Sequence, residues 1–266
     1  MSSDQVALVT GASRGIGAEV AALLGRRGVH VLVAARGLDE CRSVAAEIVA
    51  AGGAATGIRL DVTEPDSIER ALSEGRSAAG PIGWLVNNAG MALSAPLLAP
   101  DGDDLFGKHM RVNFDGPRRV MQALLPSMVD AGSGSIVQVA SSAALVGYPY
   151  VSAYCASKHA LLGYSRAAAL ELSRKGVAVN VVCPHYVDSP MTTASIERIV
   201  QKTGQSEAEA RAFLEGQNPG GVLVSPTEVA EAVHGQLIGG RTGVVLELLG
   251  GGSRIHEPGL ELTSLA

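Results

Sequence analysis

Seven short runs of aliphatic and β-branched residues recur along the chain, and between them lie longer Ala-, Leu- and Glu-rich stretches of helical period. The runs are Val6–Thr10, Val29–Ala34, Ala54–Leu60, Trp84–Asn87, Ile136–Ala140, Val177–Val182 and Val244–Leu248. Most are apolar at nearly every position, as a strand covered on both faces must be. Helices are predicted over Gly15–Arg27, Leu38–Gly52, Pro65–Gly80, Asp103–Ala131, Val151–Lys175 and Ser225–Ile238, each bounded by Gly, Pro, Asn or Asp. Parallel strands joined by crossover helices wind right-handedly. The alternation therefore predicts one α/β domain, a doubly wound seven-stranded parallel sheet with helices on both faces. At 266 residues, 47% of them hydrophobic, the chain has the core material for one such sheet.

Charge and cysteine usage narrow the partners. Lys and Arg number 21 against 26 Asp and Glu, a formal charge of −5, with no basic block to follow a phosphate backbone. Nucleic acid is not expected as a partner. Cys41, Cys155 and Cys183 are widely spaced and form no CxxC or Cys/His ligand pattern, so neither a disulfide framework nor a zinc site is expected, and a cytoplasmic protein fits best. The first strand begins almost at once, leaving no room for a targeting segment. Gly or a charged residue breaks each apolar stretch before the ~18 residues a membrane span needs, so no membrane association is expected.

One segment departs from the rhythm. Residues 188–224 are rich in Thr, Ser, Glu and Gln and hold no strand. An insertion of this length after the carboxyl end of a strand, where open α/β sheets bind ligands, reads as a substrate lid. A surface helical hairpin is the alternative. Ile196, Ile199, Val200, Phe213 and Leu214 would give such a lid an apolar inner face. The chain thus divides into a domain over residues 1–252, lid included, and a loop-like tail over 253–266, for which assembly and disorder both remain open.

Directly after the first strand comes Thr10–Gly11–Ala12–Ser13–Arg14–Gly15–Ile16–Gly17, a glycine-rich turn opening a helix. Glycines allow a tight turn and close backbone approach, and a helix N-terminus offers unpaired N–H groups to a pyrophosphate. The GxxxGxG spacing, together with Asn87–Asn88–Ala89–Gly90, Asn113, Ser141 and the Tyr154-x-x-x-Lys158 pair, resembles the short-chain dehydrogenase/reductase family from Thr10 to about Gly252. That resemblance implies a Rossmann-like fold. It implies cofactor contacts at Gly11, Ser13, Arg14, Gly15, Ile16, Gly17, Asp61, Val62, Asn87, Ala89, Gly90, Tyr154, Lys158, Pro184, Val187 and Ser189. Asp61 and Val62 would bind adenine, and Ser189 and the Val187 backbone the nicotinamide amide. The second strand ends at Ala35–Arg36, without the acidic residue that would hold a ribose 2′-hydroxyl. Arg36 and Arg14 can instead meet a 2′-phosphate, so NADP(H) is the expected cofactor, although Arg36 could also be a solvated surface charge.

Tyr154 and Lys158 are four apart and share one helix face. A phenol of ordinary pKa ~10 exchanges protons poorly at neutral pH unless a cation favours its phenolate, and Lys158 offers that cation. By resemblance, Lys158 also bonds the nicotinamide ribose, Ser141 orients the substrate oxygen, and Asn113 holds a water that links Lys158 to solvent. Tyr154 is then the general acid of carbonyl reduction or the base of alcohol oxidation. Cys155 points to another face and reads as packing, and His159 as structural or exposed.

The chain departs from the family at Pro184–His185–Tyr186–Val187–Asp188–Ser189–Pro190–Met191, where His185 replaces a Gly. His185, Tyr186 and Met191 are candidate substrate contacts, although whether His185 lines the pocket or points to solvent stays open. The expected activity is hydride transfer between NADP(H) and a ketone or secondary alcohol, with 3-ketoacyl or polyketide-like ketones as the nearest substrate class. A Pro-Gly-Gly often seen in aromatic polyketide ketoreductases is absent, and Met91–Ala92–Leu93–Ser94 stands there. A non-catalytic nucleotide sensor is one alternative. An isomerase or dehydratase with transient hydride transfer is another, although its usual GxxGxxG spacing is missing. A dimer or tetramer is expected from the family alone.

Overall fold

The structure is a computed structural model that describes residues 5–98 and 104–261. Its strands are β1 (Val6–Thr10), β2 (His30–Ala35), β3 (Ala54–Arg59), β4 (Trp84–Asn87), β5 (Gly134–Val139), β6 (Val177–Pro184), β7 (Arg241–Leu248) and β8 (Ser253–Glu261). They form one sheet in the order β3-β2-β1-β4-β5-β6-β7-β8. The first seven run parallel, and β8 pairs antiparallel with β7.

Alternation along the strands sends side chains to two cores. Ala7, Val9, Val31 and Val33 pack beneath α1 (Gly15–Arg26), α2 (Leu38–Ala50) and α9 (Pro226–Ile238). Leu8, Leu32, Ile58 and Ile136 pack on the opposite face beneath α3 (Pro65–Ala79), α5 (Gly116–Asp130) and α6 (Ser152–Leu172). The doubly wound expectation therefore holds, and the order in which strands are added reverses between β1 and β4, where open sheets of this kind form their ligand crevice.

Two segments differ from the sequence expectation. The tail read as loop-like supplies an eighth strand, so the described sheet has eight strands rather than seven; residues 262–266 lie outside the described residues. Residues 188–224, read as a lid with a helical hairpin as the alternative, are more regular than their polar composition suggested. They fold into α7 (Pro190–Thr203) and α8 (Glu207–Gly216), joined by a Ser206 cap that accepts from Glu209 N while the Glu209 side chain accepts from Ser206 N. A buried patch of Ile196, Ala210 and Leu214 holds the two helices together.

The long helix expected over Asp103–Ala131 is α4 (Leu105–Met110), a single π-helical turn at Arg111–Asp115, and α5; Asp103 lies outside the described residues. The wide turn sits where Asn113 must face the strand ends, a placement typical of π turns at functional sites. Among the described residues, no helix is long and apolar enough to cross a membrane.

Candidate active site

The glycine turn is held from below by the loop after β4. Asn88 Nδ2 donates to Thr10 O at 3.0 Å and Gly11 O at 3.2 Å, while Thr10 Oγ1 accepts from the Asn88 and Ala89 amides, each at 3.1 Å. There is no room for side chains at this crossing. A Cβ on Gly11 would lie 2.8 Å from Ala89 Cα, and one on Gly17 2.5 Å from Asn88 Nδ2. Gly11 and Gly15 also adopt positive φ, at 64° and 58°, where a glycine is strongly favoured.

The start of α1 has the character of an anion site. Arg14 caps it without a side-chain hydrogen bond, and its first turn holds no acidic residue, so its N–H groups and dipole are free to meet a pyrophosphate. Ser13, Gly15 and Ile16 complete the turn. Arg14 and Arg36 are exposed and form no ion pair among the described residues. At the end of β3, Asp61 Oδ1 accepts from Thr63 N at 2.9 Å and from Thr63 Oγ1 at 2.7 Å, which orients the carboxylate, and Val62 is buried beside it. The turn, the two cations and this strand end together suit a dinucleotide carrying an extra phosphate. Asn87, expected among these contacts, has its side chain tied below the turn, Nδ2 donating to Pro117 O at 3.0 Å, while its neighbour Asn88 does the clamping.

Beyond the turn, the carboxyl ends of β4, β5 and β6 open into a cavity of about 750 Å³. Ser141, Tyr154, Lys158 and Gly90 line it, as do Pro184, Val187 and Ser189 at the end of β6. Thr192, Ser195 and Arg198 of α7 and Phe213 of α8 close its far side, so the segment read as a lid does face the cleft. His185, Tyr186 and Met191 are all on the wall.

Tyr154 and Lys158 project from one face of α6, with Lys158 Nζ 5.8 Å from the centre of the Tyr154 ring. Lys158 is buried and donates to Val139 O at 2.9 Å. Burial pushes its ammonium down to about 8. Tyr154 keeps part of its surface open to the cleft but is ringed by protein; that desolvation pushes its hydroxyl up to about 12, against the opposing effect of a hydrogen bond with Ser141. In the protein alone, burial therefore outweighs the lowering expected from the nearby ammonium. The ring is also held edge-on to buried His109, at 6.2 Å between centres.

Asn113 sits at the middle of the π turn, fully buried. Its Oδ1 accepts from Met91 N at 2.8 Å, and its Nδ2 donates to Met91 O at 2.9 Å and to Ser157 Oγ at 3.0 Å. Asn113 Oδ1 and Lys158 Nζ both border Gly90, 3.3 and 3.7 Å from where a Cβ would stand. Asn113, Ser141, Tyr154 and Lys158 are thus brought together although up to 45 residues separate them in sequence. Cys155 is buried in packing and His159 is exposed.

Sequence reasoning left out Asn88, Tyr148 and Glu247. His185 lines the cleft and its ring is held there: its Nε2 donates to Glu247 Oε1 at 2.8 Å, and its Nδ1 lies 3.4 Å from the Tyr148 hydroxyl. Asn88 carried a signal, being inside the Asn-Asn-Ala-Gly motif. Tyr148 and Glu247 carried none, since what joins them is His185, 37 and 62 residues away in sequence.

A family profile described as short chain dehydrogenase matches residues 5–199. The chain is 38% identical over 231 residues to a putative ketoacyl reductase of Streptomyces coelicolor, covering 86% of this chain and 88% of that one. It is 34% identical over 234 residues to a cyclohexanol dehydrogenase of an Acinetobacter species, covering 87% and 86%. Among solved structures, a single-site variant of actinorhodin polyketide ketoreductase with NADPH superposes with a TM-score of 0.88 at 36% identity, covering 93% of this chain and 97% of that one. The glycine turn, the Asn-Asn-Ala-Gly loop and the Tyr-Lys helix lie within the matched span, and the chain belongs to the short-chain dehydrogenase family.

Proposed function

We propose that the protein is an NADP(H)-dependent oxidoreductase that reduces a ketone to a secondary alcohol and can run in reverse. The observation that carries this reading is the convergence of the Tyr154 and Ser141 hydroxyls, with Lys158 behind them, on an apolar cleft beside an uncapped helix N-terminus.

NADPH, when bound, supplies the hydride that adds to the carbonyl carbon. Gly11 to Gly17 would hold its pyrophosphate, Arg14 and Arg36 its 2′-phosphate, Asp61 and Val62 its adenine, and Val187 and Ser189 its amide. Ser141 orients the substrate carbonyl oxygen by hydrogen bonding. Tyr154 donates its phenolic proton to that oxygen as negative charge builds there. Its raised pKa keeps the proton in place until then. Lys158, which can carry a charge at neutral pH, favours the transient phenolate. Asn113 holds the Met91 backbone, and with it the cleft wall beside Lys158. A 3-ketoacyl or polyketide-like ketone suits the apolar lining, and the helix pair within residues 188–224 supplies its far contacts.

A panel of ketones followed by loss of NADPH absorbance tests the reading. Turnover in wild type and at least a hundredfold lower kcat in Tyr154→Phe, within the usual range for a lost general acid, is the expected result. Near-wild-type turnover in that variant removes Tyr154 from its role, and no NADPH oxidation on any ketone favours a nucleotide sensor. Arg36→Ala should weaken NADPH binding about tenfold or more and leave NADH binding nearly unchanged, as expected for one lost bond to a charged group.

A further inference from the structure

A buried polar cluster stands on the cleft wall apart from the reacting groups. Glu247 on β7 is only 7% exposed. Its Oε1 accepts from His185 Nε2 at 2.8 Å, its Oε2 from His256 Nε2 of β8 at 2.8 Å, and Arg254 Nη1 lies 3.5 Å from the same Oε2. Burial by itself would raise this carboxyl, but the bonds from the two histidines outweigh it and hold the group below its ordinary range. An ionised Glu247 accepts, so the Nε2 of His185 must carry the proton it donates.

With the ring neutral, that commitment leaves the other nitrogen as the acceptor. A neutral imidazole with its proton on Nε2 presents a lone pair at Nδ1. Nδ1 lies 3.4 Å from the Tyr148 hydroxyl, long for a full hydrogen bond, while Tyr148 is 2.9 Å from Ser142 Oγ. Hydroxyl hydrogens rotate, and Ser142 can donate to Tyr148 as readily as accept from it, which leaves the Tyr148 proton free to face the cleft. Ser142 follows Ser141, whose hydroxyl bonds Tyr154. Two adjacent serines therefore each meet a tyrosine, Ser141 the Tyr154 of α6 at the reacting centre and Ser142 the Tyr148 backed by an imidazole and a carboxylate.

An acceptor at His185 Nδ1 and a donor at Tyr148 O suit a group that both donates and accepts. A neutral hydroxyl does so. A carboxylate would meet only the Tyr148 donor and would lie near the charge of Glu247, which disfavours it.

We propose that His185 and Tyr148 form a specificity site for a hydroxyl group on the substrate, so that the preferred ketones are hydroxyketones, and that Glu247 is the positioning residue that sets the His185 ring. The proposal rests on the ketone-reductase reading for the identity of the reacting group, and deepens it by naming a second group the substrate carries.

The test compares cyclohexanone with 2-, 3- and 4-hydroxycyclohexanone and with 4-oxocyclohexanecarboxylate, by calorimetric binding and by NADPH-dependent reduction. At least one hydroxylated isomer should exceed cyclohexanone by about tenfold, the worth of one satisfied buried hydrogen bond, and the carboxylate should show no such preference. The ratio should fall towards one in Tyr148→Phe, which keeps the ring volume, and in His185→Phe, whatever happens to absolute rates. Glu247→Leu should lose the preference while Glu247→Gln, whose amide oxygen still accepts from Nε2, recovers most of it; a purely structural role would change stability in both and leave the ratio alone. Equal binding of all the ketones, a preferred carboxylate, or a preference intact in both Tyr148→Phe and His185→Phe overturns the proposal. Preferential binding without reduction of any ketone would sink the reductase reading and uphold the hydroxyl site, whereas indiscriminate reduction would do the reverse.

Discussion

Asn113→Ala tests how the π turn is coupled to the cleft. The substitution removes three hydrogen bonds, the one accepted from Met91 N and the two donated to Met91 O and Ser157 Oγ. Ser157 keeps its own donation to Tyr154 O at 2.7 Å, so its loss is small. The Met91 amide and carbonyl lose their side-chain partner. A polar group left unpaired costs about 1–3 kcal/mol. Met91 is only partly buried, so water relieves part of that, and the sum comes to about 2–4 kcal/mol. At about 3 °C per kcal/mol for a chain of this size, Tm should drop by about 6–12 °C. Calorimetry and urea unfolding both read this. Asn113→Asp should fall at least as far, because its carboxylate can still accept from Met91 N but sets a buried charge against the Met91 carbonyl oxygen. An Ala variant within about 0.5 kcal/mol of wild type, the usual effect of a surface substitution, would show that Asn113 does not pin the loop.

Three further outcomes follow from the same geometry. Gly17→Ala must push Asn88 or the turn aside, so dinucleotide affinity measured by fluorescence titration should fall about tenfold or more; an unchanged Kd would mean the turn has slack. Burial lowers Lys158 from 10.5 to about 8, so between those values the unfolded chain holds a proton that the folded chain has released, and stability rises with pH there. Relative to Lys158→Met, cofactor-free wild type should gain about 2 kcal/mol between about pH 7 and 9.5 in urea unfolding, and a flat or falling difference would contradict the desolvated ammonium. Ending the chain after Gly252 removes β8, exposes the edge of β7 and frees Glu247 from His256; Tm should fall by on the order of 5 °C, and an unaltered melting curve would show that β8 contributes nothing to the sheet.

Much of this was legible in residue order, for a physical reason. Each strand of the parallel sheet is covered on both faces, so its sequence is a nearly unbroken apolar run, and the seven runs fall within about two residues of β1 to β7 at most ends. Tyr154 and Lys158 were legible because helix periodicity puts them on one face, whereas Ser141 and Asn113 were placed beside them only by the family resemblance. β8 was not, because an edge strand with Arg254, His256 and Glu257 exposed or half-exposed lacks an apolar run and is defined by its pairing with β7. The π turn left no mark at Asn113, since its register is set by the Met91 bonds. Asn87 and Asn88 are indistinguishable by type; strand alternation sends the first under Pro117 and the second under the glycine turn. Helix α8 did carry a signal, the Ser206-x-x-Glu209 capping box, outweighed by the polar composition around it.

The direction of β8 also decides which rim of the sheet each of its ends meets. Ser253 pairs with Leu248 at the rim that holds the cleft, and Glu261 pairs with Arg241 at the far rim. A reporter group placed on Glu261 would therefore sense the rim opposite the Tyr154 cleft, and one on Ser253 the rim beside it.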